Sequence, residues 1–117
     1  MGLEGTWKGK GTEYGLGEDD KAVVINYKIK IIAKQLNKTS KYKLTITLID
    51  LTTPTNPAIT ENIIVIADCK KFIAEDATGN GINIFSLKNN TLKYEYDVNG
   101  SPKYGNVAAT FELKKKH

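Results

Sequence analysis

The side chains best placed to do chemistry are tyrosines. Tyr27, Tyr42, Tyr94 and Tyr96 each lie in a run where every second residue is apolar, and each falls on the apolar side. A core built only to exclude water would more cheaply use Leu or Phe, because a buried phenol needs a hydrogen-bond partner. Hydroxyls converging on an apolar interior make a polar-dotted pocket, the common form of a small-molecule site. Trp7 and Phe111 add aromatic surface on the same inner side, and Glu13, which shares the Trp7 face, adds one carboxyl to receive a ligand's donor group. The expected ligand-binding set is therefore Trp7, Glu13, Tyr27, Tyr42, Tyr94, Tyr96 and Phe111.

Other chemistries find little support. The only histidine is His117, so no general base is at hand for Ser40, Ser86 or Cys69. Cys69 has Lys70 and Lys71 beside it, which favour a thiolate. By alternation it shares the face of Ile63, Val65 and Ala67, which predicts a buried, inert thiol. The carboxyls of Glu18-Asp19-Asp20 and Glu75-Asp76 read as solvated loop charge. Asp76-Ala-Thr-Gly-Asn-Gly81 opens like a calcium loop, but its twelfth position is Leu87 where a bidentate Glu is required. Neither a metal nor a cofactor is expected.

The elements that must position these residues are strands. "KAVVINYKIKIIAK" sets Val23, Ile25, Tyr27, Ile29, Ile31 and Ala33 against Asn26, Lys28, Lys30 and Lys34. "KYKLTITL" and "TLKYEYDV" repeat the alternation. A period of two with β-branched and aromatic residues is a strand signal. "ENIIVIADC", "KKFIAEDA", "INIFSLK" and "GNVAATFELKK" supply further strands, and the glycine-rich opening supplies the first. "LGEDD", "NKTS", "TGNG", "KNN" and "VNGS" read as hairpin turns, and "DLTTPTNPAIT" as one longer loop. Eight strands in meander order leave two exposed edges if the sheet stays open, and closure into a barrel removes both. The prediction is an all-β fold, an eight-stranded antiparallel up-and-down β-barrel spanning 1–117 as one domain, with a two-layer sandwich as the alternative.

In the first strand, Trp7, Gly9, Gly11 and Glu13 point inward and Lys8 and Lys10 outward. Inward glycines leave room for a guest, or for a large residue opposite such as Tyr27, Tyr94 or Phe111. "IIVIA" at 63–67 is apolar on both faces, so Ile64 and Ile66 point out of the barrel, and Ile82 and Ile84 follow the same pattern. These four are the expected interface of a homo-oligomer.

Composition narrows the partners. All 17 basic residues are lysine, and the formal net charge is +4. Without arginine the usual bidentate grip on phosphates and guanine edges is missing, so no nucleic-acid partner is expected. No apolar run reaches the ~20 residues of a membrane helix, so no membrane insertion is expected. One cysteine precludes an internal disulfide. No signal peptide is evident, which leaves the location open between the cytoplasm and export with a leader that has been removed. "MGLEGT" matches the myristoylation pattern only formally.

"GTWKGKGTEY", opening an eight-stranded meander, resembles the G-x-W start of the calycin superfamily of lipocalins, fatty-acid-binding proteins, avidins and nitrobindins. The resemblance implies a barrel closed at one end by Trp7, with a small, mostly apolar ligand inside. It also implies a basic residue packed across the tryptophan. Lipocalins use an arginine there, and Lys114 or Lys115 would have to replace it. The arginines of fatty-acid-binding proteins, the haem histidine of nitrobindins and the several tryptophans of avidins have no counterparts. The expected function is non-catalytic binding of a small apolar molecule. The alternatives are an interaction or oligomerisation module with a solid barrel, and an isomerase or cyclase using Glu13.

Overall fold

A computed structural model describes residues 2–16, 21–37, 39–74, 81–101 and 105–116. Eight antiparallel strands follow one another around a closed barrel: β1 (Gly5–Leu16), β2 (Ala22–Gln35), β3 (Lys41–Asp50), β4 (Ile59–Asp68), β5 (Lys71–Ala74), β6 (Gly81–Lys88), β7 (Thr91–Ser101) and β8 (Gly105–Lys115). The last strand pairs with the first, Trp7 opposite Lys115 and Gly15 opposite Val107. The architecture is the expected eight-stranded antiparallel up-and-down barrel and not the two-layer sandwich. No described helix is long and apolar enough to cross a membrane.

Alternation governs which residues form the core. Tyr27, Ile29, Ile31 and Ala33 of β2 are buried, and the lysines between them are exposed. The strands depart from the sequence expectation at two points. β4 starts at Ile59, inside the expected loop, which leaves 51–58 as the connection. β7 continues through "VNGS" to Ser101, with a register shift between Val98 and Ser101, so this segment is an irregular strand end and not a turn. "TGNG" and "LGEDD" fall largely outside the described residues.

At one end of the barrel the hairpins are tight. Asn89 and Asn90 both take positive φ, as a two-residue primed turn demands. Cys69 also has positive φ, +58°, and is exposed. This corrects the expectation of a buried thiol. β4 ends at Asp68, the chain reverses at Cys69, and the alternation of the strand no longer applies there.

The same end is sealed. Trp7 is 1% exposed and donates its Nε1–H to the Leu3 carbonyl at 2.7 Å, and Leu3 itself is wholly buried beneath the barrel. Lys115 Nζ lies 5.7 Å from the centroid of the Trp7 ring. A cation over an indole face is attracted by the ring quadrupole. Of the two lysines that the resemblance offered, Lys115 takes the place across the tryptophan.

Candidate functional site

The glycines of β1 make room, and the room is filled by β8. A Cβ on Gly9 would overlap the Glu112 carbonyl and stand 2.7 Å from Leu113 Cα. A Cβ on Gly11 would run into the Phe111 ring. Phe111 lies directly across from Gly11 in the β1–β8 register and packs over the gap. Aromatic cover of a strand glycine is a recognised device for pinning register. Phe111 is thus one of the large residues that the sequence offered for this space.

Around Phe111 the rings form a layer across the middle of the barrel. Tyr94 stacks on Phe85 with centroids 4.2 Å apart and faces Phe111 at 5.4 Å. Tyr96 lies 6.0 Å and Tyr27 6.2 Å from Phe111. Such pairs contribute about 0.5–1.5 kcal/mol each beyond their buried area. Tyr42 belongs elsewhere. It meets Phe72 edge-on at 5.6 Å, and a Cβ on Gly2 near the sealed end would come within 3.4 Å of its hydroxyl.

The polar atoms of this layer are matched. The Tyr94 hydroxyl donates to Asn83 Oδ1 at 2.7 Å. Tyr96 is hydrogen-bonded to the Glu13 side chain. Burial first, then the charges of Glu61 and Glu13, pushes the Tyr94 phenol well above its ordinary range. Burial and then Glu13 do the same to Tyr96. Among the described residues no buried side-chain polar atom lacks a partner.

Above this layer, at the end opposite Trp7, is a cleft of about 410 Å³. One wall is the inner face of the β1–β2 hairpin, with Glu13, Val23, Ile25 and Tyr27. The other is Leu48, Asp50, the 51–58 loop and Ile59. The hairpin rises past the end of β3, whose final pair is Tyr27 with Asp50. The loop then bonds to the exposed edge of β2. Leu51 N–H donates to the Asn26 carbonyl at 2.8 Å, and Asn26 N–H donates to Thr52 Oγ1 at 2.9 Å. Asp50 shapes the loop. Its Oδ1 accepts the N–H groups of Thr52 and Thr53, both at 2.8 Å, and its Oδ2 accepts from Asn56 Nδ2 at 3.1 Å.

The expected ligand-binding residues are therefore spread over three levels. Glu13 and Tyr27 line the cleft. Tyr94, Tyr96 and Phe111 form the layer below it. Trp7 and Tyr42 lie toward the sealed end, where a second hollow of about 340 Å³ is lined by Trp7, Phe72, Leu87, Cys69, Lys70, Lys88 and Lys115, among others. Sequence reasoning passed over Asp50, Glu61, Asn83 and Leu3. Asp50 continues the alternation of Leu44, Ile46 and Leu48. Glu61 stands across from the buried Ile46 and so faces inward. Asn83 shares the face of Phe85. Leu3 precedes the first strand, and no periodicity reaches it.

On the outer surface Ile64, Ile66 and Ile73 are 38%, 36% and 42% exposed. Ile66 pairs with Ile73, and Ile73 with Ile84, making a continuous apolar row over β4, β5 and β6. Ile84 is half-buried, and the side chain of Ile82 lies outside the described residues. No group of three or more potential metal ligands occurs among the described residues.

No protein-family model matches the sequence, and no curated protein matches it. Among solved structures, a crystal structure of a mutant of the fluorescent protein UnaG is similar over 97% of this chain and 95% of that one, with a TM-score of 0.47 and 11% identity.

Proposed function

We propose that the protein binds a small, largely apolar molecule at the open end of its barrel and carries out no chemistry on it. The observation that supports this reading is the cleft between the β1–β2 hairpin and the 51–58 loop. Its roughly 410 Å³ falls within the range of small-molecule pockets, about 300–1,000 Å³. Its lining sets apolar Val23, Ile25, Leu48 and Ile59 beside the polar groups of Glu13, Tyr27, Asp50 and the 51–58 loop, which would orient a guest. The solid aromatic layer beneath limits how deep a ligand can go, so the site is a mouth and not a through-channel.

The test is titration of isotope-labelled protein with decanol, an uncharged apolar probe, followed by amide NMR. Saturable shifts at Val23–Tyr27 and Thr52–Thr53 are expected. Shifts confined to other surfaces, or none, would overturn the reading.

A second reading has its own observation. The Ile66–Ile73–Ile84 row is the kind of exposed apolar strip that subunit interfaces use. An interaction module would act through that face, with the cleft incidental.

A further inference from the structure

The ligand's chemical class can be narrowed from which charges the barrel turns inward. This step rests on the binding reading above. Among the described residues, every lysine within a strand other than Lys115 is on an outer face, and Lys115 is at the sealed end over Trp7. Lys21 lies just before β2 and is exposed at the rim. Most strand acids are outside as well: Asp68, Glu95 and Glu112 are exposed, and Glu61, though opposite the buried Ile46, is exposed too. Glu13 differs, being half-buried in the cleft wall. Asp50 is occupied in holding the 51–58 loop.

Glu13 is then the group that meets a guest. It accepts a hydrogen bond from Tyr96, and a carboxylate offers about four acceptor positions. Tyr96 in turn stands against Phe111 and Tyr94, so the carboxylate is held at the boundary between the aromatic layer and the cleft. A guest's anionic head would be repelled there, since no lysine is among the residues that line the cleft. A guest's ammonium or N–H group would gain a charge-assisted hydrogen bond in a partly dry site. We infer that the cleft selects apolar molecules carrying an amine or N–H donor at one end, and that Glu13 is the specificity-determining residue. The preference runs against the whole molecule, whose formal charge of +4 favours anions at long range.

Three probes of equal length separate the outcomes: decylamine, decanol and decanoate, each titrated below its micelle concentration. Affinity is read at the amides of Val23–Tyr27 and Thr52–Thr53, so that an anion caught by Lys70, Lys88 or Lys115 at the far end does not count. Decylamine is expected to bind at least tenfold more tightly than decanol, and decanoate more weakly than either. Glu13→Gln keeps an acceptor for Tyr96, and on this variant decylamine and decanol should bind alike, the amine preference being lost. Decanoate binding as tightly as decylamine, or a Glu13→Gln variant with full amine preference, would overturn the inference while leaving the binding reading standing. Failure of all three probes at these amides would remove both.

Discussion

Gly9 and Glu13 sit four residues apart on one face of β1 and carry opposite duties. Gly9 lets β8 approach to a distance that no side chain permits, since a Cβ would overlap the Glu112 carbonyl. Backbone cannot yield as a flexible side chain does. Gly9→Ala should therefore cost about 2–3 kcal/mol, at the upper end for overpacking, by urea unfolding. A loss under about 0.5 kcal/mol would mean that β8 is not held where the register places it. Tyr94 yields a second prediction. Its phenol is raised above the ordinary tyrosine value of about 10 by burial, then by the charges of Glu61 and Glu13. The folded state thus keeps a proton that the unfolded chain releases, so this stability is present below pH 10 and is lost as the pH rises beyond it. The loss is about 1.4 kcal/mol per pH unit. Tyr94→Phe should be less stable than the parent at pH 8, by about 1 kcal/mol for the lost bond to Asn83. The gap should narrow and then reverse as the pH climbs past 10. Parallel stability profiles would show that the phenol is not held neutral. At this scale alternation in the sequence placed Trp7, the tyrosines and Phe111 inside, but it could not say that Phe111 and the β8 backbone consume the space the glycines leave. That depends on the β1–β8 register, set by closure between the two ends of the chain.

Among the elements, the short β5 links two features of the surface. Its four residues join β4 to β6 and carry Ile73 into line with Ile66 and Ile84. Ile73→Lys should leave the unfolding midpoint within about 0.5 kcal/mol of the parent, because an exposed position away from the core tolerates change. If the row is an interface, the same substitution should abolish self-association by light scattering at high concentration. A parent protein that stays monomeric throughout would contradict the interaction reading. The sequence revealed the outward Ile64 and Ile66 because "IIVIA" is apolar on both faces. Ile73 went unnoticed because a four-residue strand is too short to show a period. Cys69 was misplaced for a related reason, since periodicity does not mark where a strand stops and a turn begins. The 51–58 loop was legible as a loop from Pro54 and Pro57. Its docking on β2 was not, because it depends on Asp50 and Thr52 reaching particular backbone groups.

For the whole molecule, the two ends of the barrel differ in construction. One is plugged by Trp7 and Leu3, bounded by tight turns and flanked by Lys70, Lys88 and Lys115. The other is a cleft with Glu13 in its wall and a loop tied down by Asp50. The aromatic layer between them separates the two, which confines any guest to one end or the other. The claim at the centre of this account is that the open end is a binding site. Amide NMR during a decanol titration tests it most directly. Saturable shifts concentrated at Val23–Tyr27 and Thr52–Thr53, with the amides around Trp7 and Asn89 unmoved, are the predicted result. Saturable shifts at the sealed end alone, or no saturable shifts at any concentration below decanol's solubility, would contradict it.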